Sequence, residues 1–253
     1  MDLGLKGKVA IVVGGSSNLG RATSIRLAEE GARVVIAYSS NDEKANEALA
    51  AIRSAGGEAV AVKGDMTVEE NVDALCRRAI EVFGKIDILI YSAMFWPTNM
   101  VTDIPLKEWQ RTMDVNLTGV FLTNRWVVKY WLENGMKGKI LNFSSQAAFK
   151  GSTTYHAHYA AAKAGVVAFT VSLAREVAGK GIAVNAIAPG LSTVPGPGAV
   201  IDEKGAEYYK TRIPIGRIGD PFEVADLAAF LVSERNSYML GATVDVSGGM
   251  LMR

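Results

Sequence analysis

The stretch Val9-Ala10-Ile11-Val12-Val13-Gly14-Gly15-Ser16-Ser17-Asn18-Leu19-Gly20 decides how the rest of the chain is read. Five apolar residues in an unbroken run suit a short strand buried on both faces. The glycine-rich turn leads at once into an amphipathic helical pattern over residues 19–30, ended by Gly31. Glycines in such a turn let backbone approach a pyrophosphate closely, and the helix N-terminus supplies free N–H groups and positive dipole. The spacing is that of G-x-x-x-G-x-G with Asn18 in place of the middle glycine. Asn is the next residue able to enter the left-handed conformation. Taken alone, the segment equally describes a tight turn with no ligand.

Downstream, strand and helix patterns alternate. Strands are predicted over residues 33–38, 58–63, 86–91, 139–143, 182–188 and 243–246. Helices are predicted over 43–54, 68–83, 107–132, 159–178 and 221–233, the third of these closing near Gly135. Residues 189–198, with three prolines and three glycines, read as a loop. Strands separated by helices need crossovers, so the sheet is expected to be parallel, with helices on both faces. The expectation is a doubly wound, Rossmann-type α/β sheet of about seven strands in one domain, residues 1–253.

The chain carries 27 Lys and Arg against 26 Asp and Glu, a formal net charge of +1. Such balance gives no electrostatic case for nucleic acid or an anionic membrane as partner. The single cysteine, Cys76, cannot form an internal disulfide and suits a reducing compartment. No apolar run is long enough to span a bilayer, and residues 1–4 do not begin a signal peptide, so a cytoplasmic enzyme is expected.

The second strand ends Tyr38-Ser39-Ser40-Asn41, with no acid before Asp42. An acid at this point would bind adenosine ribose hydroxyls and repel a 2′-phosphate. Neutral donors there favour NADP(H), with NAD(H) possible, and Arg21 is a nearby cation. Ser39, Ser40 and Asn41 could also cap the next helix. Further on, Tyr159 and Lys163 stand at i and i+4, one helix turn apart. A cation close to a phenol lowers its pKa and suits it to proton exchange with an alcohol or carbonyl. Asn142-Phe143-Ser144-Ser145 ends a strand at the edge where ligands bind. Asn116 is a polar residue in an apolar helical stretch, and could cap a local distortion. No metal is expected, since His156 and His158 lack further clustered ligands.

Together these residues resemble the short-chain dehydrogenase/reductase family over nearly the whole chain. The match runs through the glycine loop, Asp65-Met66, Asn116, Ser145, Tyr159-x-x-x-Lys163, Asn185, Pro189-Gly190 and the ending 241–249. The resemblance implies Tyr159 as general acid/base and Lys163 as the residue that lowers its pKa and holds the nicotinamide ribose. Ser145 would orient the substrate oxygen, with Ser144 as runner-up, and Asn116 would hold a water of a proton relay. Asp65 would contact adenine with Met66 beside it, and Pro189-Gly190 would line the nicotinamide. Gly14, Ser16, Ser17, Asn18, Leu19 and Gly20 would hold the phosphates.

One segment departs from the family pattern. The fourth strand ends Tyr91-Ser92-Ala93-Met94 where the family has N-N-A-G, which places Met94 near the nicotinamide. Phe95, Trp96 and Tyr155, with His156, form a candidate aromatic pocket wall, though Phe95 and Trp96 could instead pack on a helix or partner subunit. By motif texture the chain is most similar to 3-oxoacyl-[acyl-carrier-protein] reductases, for which Arg175, Lys129, Lys137 and Lys139 are candidate docking cations. A reductase or dehydrogenase for cyclic or aromatic substrates fits the bulky segment equally, and a non-catalytic nucleotide-binding scaffold is the alternative from another class. The expected partners are a small carbonyl or alcohol substrate and further copies of the chain, as a homotetramer.

Overall fold

A computed structural model describes residues 2–193 and 203–252. Residues 194–198 of the expected loop lie outside them. The strands are β1 (Val9–Val13), β2 (Arg33–Tyr38), β3 (Ala59–Lys63), β4 (Ile88–Tyr91), β5 (Gly138–Phe143), β6 (Ile182–Pro189) and β7 (Thr243–Val246). They form one sheet in the order β3-β2-β1-β4-β5-β6-β7, with every pairing parallel. This is the doubly wound, Rossmann-type arrangement. The strand order reverses between β1 and β4, where Val13 pairs with both Ala37 and Tyr91. A crevice opens at the C-terminal ends of those strands.

The helices are α1 (Asn18–Glu29), α2 (Asp42–Ser54), α3 (Glu69–Phe83), α4 (Leu106–Met113), α5 (Gly119–Glu133), α6 (Ala147–Lys150), α7 (Ala157–Val177), α8 (Glu203–Lys210) and α9 (Pro221–Leu231). The continuous apolar runs are explained by burial on both faces. In β1, Ile11 and Val13 join the core shared with Leu75, Trp131 and Val166 of α3, α5 and α7. The alternate residues Ala10 and Val12 join Leu27, Ile52 and Val224 of α1, α2 and α9. Each of these Val, Leu and Ile side chains, taken fully from water, stabilises the fold by about 1.5–3 kcal/mol. Among the described residues no helix is long and apolar enough to cross a membrane.

Two expectations about elements are corrected. The strand expected over 86–91 begins at Ile88, and the Ile86 carbonyl just before it accepts a hydrogen bond from the buried Trp131 indole at 2.7 Å. The long helix expected over 107–132 is instead α4 and α5 separated by a π turn at Asp114–Thr118. The buried Tyr91 hydroxyl donates to the Val115 carbonyl within that turn at 2.7 Å. Gly119 lets the phenol in, since a Cβ there would lie 2.2 Å from the Tyr91 oxygen.

Candidate active site

A cleft of about 760 Å³ opens at the switch point. The glycine turn forms its floor. Asn18 adopts φ 46°, the left-handed conformation expected of a glycine substitute. Gly20 is required by crowding, because a Cβ there would stand 2.2 Å from the Gly14 carbonyl oxygen. Gly14, Ser16, Ser17, Asn18, Leu19 and Gly20 all line the cleft. Ser17 is the N-cap of α1 but makes no side-chain cap bond, and the first turn carries no acid. Arg21 lines the same wall, with its Nε buried and without a hydrogen-bond partner. Uncapped N–H groups beside an unpartnered cation fit the phosphates of a dinucleotide.

At the adenosine end, Tyr38 and Ser39 line the cleft, but Ser40 is exposed and does not. Asn41 caps α2 by accepting from the Lys44 N–H at 2.8 Å. The Tyr38 hydroxyl is not a free donor as expected, because it donates to Asp42 Oδ1 at 2.8 Å. Lys63 bonds the other Asp42 oxygen at 2.8 Å. Those two partners lower the carboxyl pKa, and the Lys63 ammonium offsets the charge of the acid nearest the second-strand end. Sequence reasoning missed Lys44, which lines the cleft beside Ser39. Its signal was being the first cation after that strand. Asp65 and Met66 line the cleft, and Asp65 is already engaged. It accepts from the Thr67 N–H and hydroxyl at 3.0 and 2.8 Å and pairs with Arg111 at 2.8 Å. Burial pushes its pKa up, but these partners together bring it below the ordinary value.

The reacting end gathers Ser92, Ala93, Met94, Ser144, Ser145, Tyr159, Lys163, Pro189 and Gly190 on the cleft wall. Ser92 closes the strand end by donating its hydroxyl to the Val13 carbonyl at 2.7 Å. Of the two serines, Ser144 donates to the Lys163 carbonyl at 2.9 Å. Ser145 is the one whose side chain hydrogen-bonds Tyr159. Burial opposes the lowering of the phenol pKa that the lysine was expected to bring. Tyr159 is pushed up to about 12 by burial, against which Ser145 works in the lowering direction. Burial also brings Lys163 down to about 7. Its Nζ lies 5.6 Å from the Tyr159 ring centre and donates to the Phe143 carbonyl at 2.7 Å.

Asn116 does not line the cleft. It is buried in the π turn, where Nδ2 donates to the Phe95 and Thr112 carbonyls at 2.8 and 2.9 Å and Oδ1 accepts from the Phe95 N–H at 3.3 Å. Both Nδ2 hydrogens are committed to protein carbonyls, so only Oδ1 is left to meet a relay water. Phe95 and Trp96 line the cleft as expected, with Trp96 stacked on His156. Tyr155 does not join them. It sits at φ 61° with the residue 61% exposed, turned out of the wall. The docking cations are reduced as well: Lys139 is turned onto the Asn236 carbonyl and Lys129 lies 3.8 Å from Glu133.

Known proteins share this framework. A family model described as enoyl-(acyl carrier protein) reductase matches residues 13–251. The chain is 41% identical over 249 residues to 3beta-hydroxysteroid dehydrogenase 1 of Eggerthella lenta, covering 98% of this chain and 95% of that protein. It is 37% identical over 249 residues to the 3-oxoacyl-[acyl-carrier-protein] reductase of a Synechocystis strain, covering 98% of each. A solved short chain dehydrogenase from Bacillus anthracis superposes with a TM-score of 0.89 at 35% identity over 98% of both chains. Matched from the glycine turn to the last strand, the chain belongs to the short-chain dehydrogenases/reductases, NAD(P)-dependent oxidoreductases that interconvert alcohols and ketones.

Proposed function

We propose that the chain reduces a ketone, or oxidises the matching secondary alcohol, with Tyr159 as proton donor or acceptor and NADP(H) as preferred cofactor. The observation that carries the reading is the meeting of Tyr159, Ser145 and Lys163 on one wall of the cleft that begins at the glycine turn. The cofactor supplies or accepts the hydride when bound. In reduction, the Tyr159 phenol gives its proton to the carbonyl oxygen as that oxygen gains charge. Ser145 donates to the same oxygen and steadies the developing anion. Lys163 anchors the wall through Phe143 and would hold the nicotinamide ribose, with Pro189-Gly190 and Met94 on the same cleft wall. Asn116 acts as a positioning residue through Phe95.

Arg21 and Lys44 support the preference for a 2′-phosphate, since both are cations on the adenosine and phosphate walls while Asp42 is paired with Lys63. The substrate reading is a compact ring-bearing or aromatic compound, supported by Phe95, Trp96 and His156 at the reacting end. An acyl-carrier substrate, suggested by the Synechocystis relative, is the second reading. A buried free Cys76 suits the cytoplasm. Exposed apolar side chains at Leu106, Trp109, Phe121 and Leu132, and again at Tyr238 and Leu240, support a homotetramer.

A panel of ketones and alcohols with both cofactors tests the activity. Turnover by the wild type, lost by about 10²–10⁴-fold in Tyr159→Phe with cofactor binding retained, is the expected result. Tight cofactor binding with no turnover of any substrate points instead to a scaffold. Light scattering tests the assembly, and a monomeric mass refutes the tetramer.

A further inference from the structure

The loop after β4 carries the bulk beside Tyr159, and it is pinned at alternate residues. Phe95 is held through both backbone groups by Asn116. The Pro97 carbonyl lies 2.7 Å from His156 Nδ1. The Asn99 N–H donates to the Tyr155 carbonyl at 2.9 Å, and its Nδ2 donates to both Glu108 oxygens at 2.9 and 3.0 Å. Glu108 Oε1 in turn lies 3.2 Å from Nε2 of His158, which is fully buried. This ties the loop to α4 and to the first turn of α7, the helix that bears Tyr159. The loop is therefore a fixed wall.

Between two pins stands Trp96. Its ring stacks on His156 with centres 4.2 Å apart and planes 22° apart, and it meets the Tyr159 ring edge-on at 6.4 Å. Burial holds His156 below its ordinary pKa, so the imidazole is neutral near pH 7. A carbonyl only accepts, so Nδ1 carries the proton and the ring orientation is fixed. The surface beside the reacting phenol is flat, aromatic and uncharged. Planar and fused rings gain offset stacking on such a surface, which a flexible chain does not.

We propose that Asn99, Glu108 and His158 are positioning residues that hold Trp96 against His156, and that this wall selects ketones and secondary alcohols carried on a planar or fused apolar ring. The inference rests on the alcohol/ketone reading of the cleft. Glu108 and His158 touch no substrate. They act through the loop, and removing the Glu108 carboxylate takes both acceptors from the Asn99 amide.

The test compares 2-tetralone with 2-decanone, which have the same carbon count, using NADPH. Trp96→Ala and Glu108→Ala are each expected to raise KM for 2-tetralone about tenfold, and Glu108→Ala, which touches no substrate, to keep kcat and the 2-decanone KM within about threefold. Glu108→Gln, which still offers an acceptor to Asn99, is expected to restore most of the ring preference. Cofactor affinity, read by NADPH fluorescence, stays unchanged. A merely structural role lowers both ketones, cofactor affinity and the thermal midpoint together, and that outcome overturns the proposal. So does an unaltered tetralone KM in both alanine variants. Absence of turnover in the wild type refutes the oxidoreductase reading separately. The wall is then judged by tetralone quenching of tryptophan fluorescence: loss of quenching in Trp96→Ala supports it, and retention overturns it.

Discussion

Lys163 reaches across from α7 to donate a 2.7 Å hydrogen bond to the backbone carbonyl of Phe143, at the last residue of β5. The amine is buried among neutral groups, and this desolvation brings its pKa from 10.5 to about 7. The folded state therefore releases the proton near pH 7, while the unfolded chain keeps it until about pH 10.5. Between these values the unfolded state binds more protons, so stability rises with pH. Urea unfolding of the cofactor-free protein at about pH 7 and about pH 9 is expected to show this rise, and Lys163→Met to flatten it. Parallel slopes in the two proteins would refute the assignment.

Tyr159 shifts the opposite way in its consequence. Burial raises the phenol from 10.0 to about 12, so the folded state holds this proton longer than the unfolded chain. Stability tied to it falls as pH climbs from about 10 to about 12. The chemistry follows the same sign. Reduction uses the phenol as it stands and is expected to proceed at neutral pH, whereas oxidation needs the phenolate and is expected to rise with alkalinity. Initial rates in both directions across pH 6–10 check this, and an oxidation rate that falls on the alkaline side contradicts it.

The paired serines should separate in mutagenesis. Ser145→Ala removes the hydroxyl that bonds Tyr159, with an expected loss in kcat of about 10²–10³-fold and little change in stability. Ser144→Ala removes a buried bond to the Lys163 carbonyl and is expected to cost about 1 kcal/mol of stability while leaving most of the rate. Thermal melts beside single-substrate kinetics distinguish them. The reverse pattern exchanges their roles.

Lys44 provides a test of cofactor choice. Lys44→Gln is expected to weaken NADP affinity about tenfold, equivalent to about 1.4 kcal/mol, and to leave NAD within about twofold. Isothermal titration with both dinucleotides measures this. Equal weakening of the two places Lys44 away from the 2′-phosphate.

The parallel sheet was legible because burial on two faces writes strands as unbroken apolar runs, as in Ile88–Tyr91 and Val9–Val13. Tyr159 and Lys163 were legible because helical spacing sets them on one face and they stand in order with the other motifs of the resemblance. The π turn was not, since Asp114–Thr118 reads as ordinary helix and its cause lies 24 residues upstream in Tyr91. The same holds for the phenol's pKa: sequence shows the nearby cation but not the burial that opposes it. α6 and α8 are four and eight residues long, too short for periodicity to mark them. Tyr155 misled because an aromatic beside the site in sequence turned outward through a left-handed backbone.

The widened turn at Asp114–Thr118 leaves its two flanking rods one residue out of phase. Excising a single residue there would splice them into one straight, regular rod. The spliced rod would be a better helix by every local measure, yet it would swing Asn116 off the strand-end loop and deprive Tyr91 of its acceptor. A flaw in one spiral thus sets the alignment of everything stacked against it, and improving the spiral would blunt the enzyme.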